Sequence, residues 1–319
     1  MLFWLASLAL SATRPLPLPA LRALGRALGI AAHALAPGPR RVARDNVARV
    51  FPALRRAERE ALVRRSFEVL GEFLGETVAL LRPDRAFPAL PVAAEARAIL
   101  EAARADGRGV VFASAHLGPW ERVAAALVAA GVPLVAVARE SYDPRFSRLY
   151  ERLRAAHGVR LVWRDRRGAA ARILRALRAG EVLGVPMDLR SRVPSCPAPF
   201  LGHEALTAIG PARIALRAGA PVVVGSVAPV PADGPPSRLA GPPKPRLQVT
   251  ATRIDTHDLP RDPRRAHESA RELTRRINDE LSRRILALPQ AWVWMHERWE
   301  TRRQPKAPAE GEPAAKTSV

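Results

Sequence analysis

Several residue types are scarce in this 319-residue chain, and each scarcity excludes a class of protein. A single cysteine, Cys196, excludes an internal disulfide and a metal site built from cysteines alone. Aromatic residues make up only 5% of the chain, which argues against a surface that stacks bases. Apolar residues nevertheless make up 48%, enough to bury the core of one large α/β domain with helical additions, or of two small domains.

Lysine is nearly absent, because arginine supplies 48 of the 51 basic residues. The formal net charge is +21, and a strongly basic protein is expected near an acidic partner such as nucleic acid, an anionic membrane or an acidic protein. The arginine excess, which accompanies excesses of alanine and proline, is explained equally well by a coding bias. Composition therefore leaves both interpretations open.

Acidic residues are missing from the first 44 positions. Leu2 to Ala12 is an apolar run that is too short to span a bilayer, for which a helix needs about 20 residues. It also lacks the basic flank of a signal peptide. From Ala20 to Ala36, leucines alternate with Arg22 and Arg26, which lie on one helical face. Residues 1–39 thus predict an amphipathic anchor on an anionic membrane; the alternative is an ordinary first helix packed on the core.

Alternating periodicities predict the fold of the remaining chain. Helical spacing extends from Arg40 to about Leu81. Six later segments have the pattern of strands: 110–113, 134–138, 160–163, 181–187, 220–227 and 247–254. Helices separate the first five, so we expect an α/β domain over residues 40–302 whose central sheet is mostly parallel and flanked by helices. The sixth alternates like an edge strand.

Two segments rich in proline have the composition of irregular structure. Residues 231–245 predict a surface loop. A long charged helix is expected over 264–288, and the tail 303–319 is expected to be disordered.

His116 and Glu121 are the strongest candidates for chemistry. His116 follows the first strand, at the edge where open α/β sheets place their ligands. Gly118 and Pro119 suit a helix start, so a loop can bring the two side chains together. A carboxylate on one imidazole nitrogen would fix the tautomer, and the other nitrogen would take a proton from a hydroxyl.

Structural interpretations of the same residues remain open. Glu121 can be a plain helix cap, and His116 a satisfied histidine at a strand end. Ser114 lacks the flanking glycines of a nucleophile elbow, which favours direct attack by a substrate hydroxyl without an acyl-enzyme. No second ligand cluster accompanies His116, so we expect neither a metal nor another cofactor.

Ordered motifs along residues 40–302 resemble a known family. The segment His116-Leu117-Gly118-Pro119-Trp120-Glu121 resembles the His-x-x-x-x-acid signature of glycerolipid acyltransferases. More closely, the chain resembles the bacterial late acyltransferases of lipid A biosynthesis, of the lauroyl or myristoyl type, which also include phosphatidylinositol mannoside acyltransferases. The supporting matches lie at Asn46, Phe51-Pro52, Val137-Ala138-Arg139, Asp188, Phe200-x-Gly202, Thr207 and Trp294-Met295-His296-x-Arg298-Trp299. Pro119 and Leu189 depart from the family pattern, which has asparagine and glutamine there.

This resemblance implies transfer of a fatty acyl group from acyl carrier protein or a coenzyme A thioester to a hydroxyl of a membrane glycolipid, a lipid A precursor. Other lipid acceptors, a phosphatidylinositol mannoside or a lysophospholipid, are the alternatives. The implied location is the cytoplasmic face of the inner membrane, with monotopic attachment and an anionic lipid acceptor. No nucleic acid is expected as a partner.

The resemblance also implies roles for individual residues. His116 would be the base and Glu121 its partner. Gly118, with nearby helix-start amides, would hold the oxyanion. The remaining predicted substrate contacts are those of Trp120, Arg139, Asp188 and Arg190, with Arg139 binding phosphate and the last two residues lining the acceptor site.

Two other classes compete with an enzyme. A nucleic-acid-binding protein would explain the charge, but its arginines should cluster with aromatic residues, and here they are spread along the chain. A non-catalytic membrane scaffold would explain the N-terminus but not the motifs that follow.

Overall fold

The computed structural model describes Trp4 and residues 10–82, 88–190, 192–230, 246–260 and 262–299. Its helices are α1 Leu18–Leu35, α2 Pro37–Val50, α3 Arg56–Leu80, α4 Ala94–Ala105, α5 Trp120–Ala129, α6 Pro144–Ala156, α7 Ala169–Arg178, α8 Gly210–Ala218 and α9 Ala266–Ala287. Its strands are β1 Val110–Ser114, β2 Leu134–Ala138, β3 Arg160–Trp163, β4 Val182–Pro186, β5 Ser195–Phe200, β6 His203–Ala208, β7 Val222–Pro229 and β8 Leu247–Ile254. Short 3₁₀ turns occupy Pro263–Arg265 and Pro289–Ala291.

Six strands form one sheet in the order β3-β2-β4-β1-β7-β8. All neighbours are parallel except β8, which runs antiparallel to β7 at the edge. β1 and β7 are buried almost throughout because helices cover both faces of the sheet, and their sequences are accordingly mostly apolar. The predicted fold class is confirmed, including the edge position of the last strand.

The hairpin formed by β5 and β6 was not predicted from the sequence. Its strands pair only with each other, through a turn at Leu201 and Gly202 that has positive φ at both residues. Pro197 and Pro199 lie within β5. Proline cannot donate a ladder hydrogen bond, so its presence argued against a strand; a two-stranded ribbon has the free edge that tolerates it.

Some expectations fall outside the described residues. The loop at 231–245 and the tail 303–319 belong to this group, as does most of the run from Leu2 to Ala12. The division of the chain at residues 39 and 302 stays a prediction. Within the described part of the chain, no helix has both the length and the apolarity needed to cross a bilayer.

Helix α1 packs antiparallel along α3 at very short range, through glycines. A methyl group on Gly25 would lie 2.1 Å from the Gly71 carbonyl oxygen, and one on Gly75 would lie 2.2 Å from the Leu21 carbonyl oxygen. Gly29 is equally close to the carbonyl of Phe67. Only residues without a side chain permit this approach, so the glycines fix the register of the two helices.

Ion pairs stabilise one side of this helix pair. Arg22 binds Glu76 at 2.7 Å, and Arg26 binds Glu68 at 2.9 Å and Glu72 at 3.8 Å. The three glutamates are buried, and the arginines supply the opposite charge that buried carboxylates require. The arginines assigned from the sequence to an anionic membrane thus bind acidic side chains of the protein itself.

The glycine contact predicts unequal effects for two alanine substitutions. Gly25→Ala should lower the free energy of unfolding by about 1–3 kcal/mol, because backbone atoms of α3 occupy the methyl position. Gly38→Ala in α2 is the matched control, since nothing lies within 4 Å of its added methyl group. It should change stability by less than about 0.5 kcal/mol, because Gly38 lies in the first turn before Pro39, where helix propensity contributes little. Urea unfolding measures both, and equal stabilities for the two variants would contradict the close packing of α1 on α3.

Candidate active site

The site begins at the carboxyl ends of β1 and β4, which are neighbours in the sheet. Their parallel register pairs Ser114 with Pro186. His116 and Asp188 each follow two residues later, so the two side chains emerge at the same level of the sheet edge. The imidazole Nδ1 lies 2.9 Å from Asp188 Oδ1.

Asp188 is fully buried and held by three hydrogen bonds. Besides the imidazole contact, its Oδ2 accepts from the backbone N–H of His116 at 2.8 Å and from the indole N–H of Trp292 at 2.8 Å. Since an ionised carboxylate is only an acceptor, Nδ1 carries the proton and Nε2 presents its lone pair. Nε2 forms no hydrogen bond with any residue whose position the structure describes, and the His116 side chain is 26% exposed.

The pKa values of His116 and Asp188 shift in opposite directions. Burial lowers the pKa of His116, but the charge and hydrogen bond of Asp188, together with the charge of Glu121, outweigh burial and raise it above 6.5. Burial raises the pKa of Asp188, but the charge of His116 and the hydrogen bonds from His116 and Trp292 bring it below its ordinary value. A strengthened base beside an ionised carboxylate can accept a proton from a hydroxyl.

Glu121 lies close to His116 but is not the carboxylate on its ring. Its two oxygens accept from the Arg154 guanidinium at 2.8 and 3.1 Å, and both side chains are largely buried. The predicted hydrogen-bonded pair of His116 and Glu121 is therefore corrected: Asp188 takes the position on Nδ1, and Glu121 contributes charge. Asp188, which we expected to line the acceptor site, is fully buried on the His116 ring, and its role as a substrate contact stays a prediction.

Gly118 has a conformational role in the loop between β1 and α5. Its φ is +72°, and a methyl group there would lie 2.3 Å from a methyl carbon of Val227. Its N–H donates to the carbonyl of Ala291 at 2.9 Å, which corrects the expectation that this amide holds an oxyanion. The helix begins at Trp120, whose ring meets the His116 ring edge-on at 5.1 Å between centroids.

Arg139 and Arg190 follow β2 and β4 at the same sheet edge, and both are exposed. The Arg139 guanidinium stacks on the ring of Tyr142 at 4.3 Å. The hydrogen bond from Arg139 lowers the pKa of the Tyr142 hydroxyl. The structure thus provides a positive, solvent-facing group beside the edge that carries His116.

The segment that follows α9, residues 288–299, packs against the loop that carries His116. Leu117 and Trp292 form an isolated backbone bridge, and the Asn46 side chain donates to the carbonyls of Trp294 and His296 at 2.8 and 2.9 Å. The segment therefore holds the His116 loop in place and carries the indole that binds Asp188.

The Arg298 side chain, in the same segment, is fully buried. It donates to the carbonyl of Leu206 and to the hydroxyl of Thr207, and its guanidinium stacks over the ring of Phe200. Burial lowers the pKa of Arg298 to about 10, against the opposing effect of the Asp188 charge, so it stays a cation at neutral pH. These contacts give it a structural position between the hairpin and the active-site edge.

Arg154 and Trp292 are site residues that sequence reasoning missed. Arg154 is one of many arginines in a helix 33 positions beyond Glu121, and no local pattern distinguishes it. Trp292 stands in a segment that also contains Trp294 and Trp299, and no motif distinguishes it from them. Both contacts become visible only once the chain is folded.

The fold and this site define a class: an α/β protein with a histidine, oriented by a buried carboxylate, at the carboxyl ends of its parallel strands, an arrangement suited to accepting a proton from a hydroxyl. Residues 1–301 match the family model of the bacterial lipid A biosynthesis acyltransferases, and the chain belongs to that family. The resemblance seen in the sequence motifs is thereby confirmed, as is the assignment of the protein as an acyltransferase. Comparison with curated proteins gives no match.

The shifted pKa of His116 predicts how acyl transfer depends on pH. If His116 is the base, its neutral imidazole is the active form, so the rate should fall as pH drops through the raised pKa of His116, where the ring becomes protonated. Asp188→Asn removes the charge that raises this pKa. The acidic limb should then move to lower pH, while the plateau falls about 10²- to 10⁴-fold because imidazolium is no longer stabilised.

Asp106→Asn is the control for this measurement, because Asp106 is an exposed carboxylate that pairs with Arg108 on the surface. Its pH–rate profile should overlay that of the unaltered enzyme. An Asp188→Asn profile with an unmoved acidic limb would show that Asp188 does not set the pKa of the base.

Proposed function

We propose that the protein transfers a fatty acyl group from an acyl thioester, carried by acyl carrier protein or coenzyme A, to a hydroxyl of a lipid A precursor. Membership of the family supports the reaction and the acceptor class. The observation that carries the mechanism is the His116 imidazole, with Nδ1 bound to a buried carboxylate and Nε2 turned away from it.

In the proposed mechanism, His116 Nε2 takes the proton of the acceptor hydroxyl while its oxygen attacks the thioester carbonyl. The resulting imidazolium is stabilised by Asp188. When the tetrahedral intermediate collapses, the C–S bond breaks and the leaving thiolate takes the proton back from His116. The product is an ester and a free thiol, and no acyl group is bound covalently to the enzyme.

The oxyanion of the intermediate is proposed to lie at the start of α5. Gly118, Trp120 and Arg122 already donate their N–H groups to carbonyls. The N–H of Glu121 has no hydrogen-bond acceptor among the described residues, and it belongs to the first turn, where the helix dipole favours negative charge. Glu121 thus supports the site twice, through its amide and through the side-chain charge that raises the pKa of His116.

Substrate phosphates are proposed to bind Arg139 and Arg190, whose side chains extend into solvent from the active-site edge. Guanidinium groups bind phosphate in a bidentate geometry, and lipid A precursors and both donors carry phosphate. Trp120, beside His116, would contact the substrate near the reacting atoms. The enzyme is proposed to work at the cytoplasmic face of the inner membrane as a monotopic protein, where donor and acceptor meet.

An in vitro assay tests this proposal. Purified protein is incubated with an acyl thioester and a detergent-dispersed lipid A precursor, and mass spectrometry follows the acceptor. We expect the acceptor to gain the mass of one acyl chain, and we expect His116→Ala to lower turnover by about 10²- to 10⁴-fold. A lysophospholipid and a phosphatidylinositol mannoside, assayed in parallel, should remain unmodified.

Thermal unfolding of the His116→Ala variant provides the control for folding, since the truncated ring is partly exposed. A folded variant with unchanged turnover would rule out His116 as the base. Acylation of only the lysophospholipid would instead retain the mechanism and replace the acceptor.

A further inference from the structure

The helix pair α1–α3 has two different sides. Helix α1 contacts α3 through Leu21, Gly25 and Gly29. Arg22 and Arg26 each follow one of these contact residues by one position, whereas Leu24 and Leu28 each precede one. Because the arginines form ion pairs across the helix pair, residues that follow contact positions lie on one side, and residues that precede them lie on the other.

The same rule applies to α3, which runs antiparallel. Glu72 and Glu76 follow Gly71 and Gly75 and lie on the side of the ion pairs. Leu74 precedes Gly75 and therefore lies on the side of Leu24 and Leu28. The helix pair thus has a charged side and a leucine side, which are separated by the glycine contacts.

The leucine side, which we call the leucine face, consists of Leu24, Leu28 and Leu35 on α1 and Leu74 on α3. These side chains are 40%, 54%, 80% and 53% exposed. Large apolar side chains that are this exposed and clustered on one face usually mark a surface that interacts with a partner or a membrane. The spacing of four and seven residues keeps the three α1 leucines on one helical stripe.

We propose that the leucine face inserts into the lipid leaflet on which the enzyme works. The inference rests on the proposed function, because a lipid acceptor requires the enzyme to reach a membrane. The face itself is uncharged, while the neighbouring arginines are neutralised by buried glutamates, so hydrocarbon is a better match than lipid phosphate or an acidic protein. The apolar run from Leu2 to Ala12 precedes α1 and extends the same apolar character along the chain.

Attachment by this face differs from the electrostatic anchor expected from the sequence. Salt screens exposed charges but has little effect on hydrocarbon burial. Binding to vesicles of phosphatidylethanolamine and phosphatidylglycerol should therefore change less than about threefold between 0.1 and 0.5 M NaCl, whereas an electrostatic anchor would be released.

The decisive variant is L24Q/L28Q/L74Q, which replaces exposed side chains and leaves the glycine contacts intact. Co-sedimentation should show vesicle binding weakened at least tenfold, because the partitioning of three leucines is lost. L286Q is the matched control, since Leu286 is 47% exposed and belongs to α9, not to either helix of the pair. It should bind as the unaltered protein does.

A fluorescence measurement tests insertion directly. An environment-sensitive probe attached at Leu28→Cys should shift to the blue when vesicles are added, whereas one at Leu286→Cys should not; the native Cys196 is buried. Unchanged sedimentation of the triple variant, or an absent shift at position 28, would overturn the proposal. So would a dimer, seen by light scattering, that the triple variant dissociates without losing vesicle binding.

Failure of this proposal is distinguishable from failure of the proposed function. The triple variant should retain turnover with detergent-dispersed acceptor, because its substitutions replace exposed side chains and leave the Glu76–Arg122 contact with α5 intact. The His116→Ala variant should bind vesicles normally and lack turnover. Each proposal can therefore fail while the other stands.

Discussion

The hydrogen bond between His116 and the buried Asp188 depends on the pairing of two strands and gives the site its chemistry. It forms because β1 and β4 are parallel neighbours whose register places both residues two positions beyond the last pair. A shift of one residue in either strand would turn its side chains to the opposite face. A fully buried carboxylate is tolerated only with partners, and the imidazole, a backbone amide and the Trp292 indole supply them.

The sequence was sufficient to predict the alternation of strands and helices, the edge strand and the position of His116. It led to the wrong carboxylate because Glu121 is near in sequence, whereas Asp188 is 72 residues away. Which strand lies beside β1 depends on the sheet order, and periodicity locates strands without ordering them. Both acids are buried, and their hydrogen-bond partners distinguish them: Asp188 binds the His116 ring, while Glu121 binds the guanidinium of Arg154.

The ion pairs of α1 also could not be predicted from the sequence, because their partners are distant along the chain. The pattern of leucines and arginines in α1 is amphipathic, and from the sequence the arginines had no visible partner. Their partners lie in α3, more than forty residues further along the chain. The glycines that bring the helices together stand four apart in each helix, a spacing that permits close contact but does not identify the partner helix. The arginines of this helix are thus explained by packing inside the protein, and only its exposed leucines remain to support the membrane interpretation.

Arginine explains why composition alone could not assign a partner to this protein. Many of its arginines neutralise buried carboxylates: Arg22 and Arg122 both bind Glu76, and Arg154 binds Glu121. Each of these charges is offset by the carboxylate that it binds, which weakens its attraction for an external anion. Because Arg122 directly follows Glu121, the ion pair through Glu76 also joins the N-terminal helix to the first turn of α5. The charge that matters for a substrate is therefore defined by position: it belongs to guanidinium groups such as that of Arg139, exposed at the edge of the sheet where the base is held.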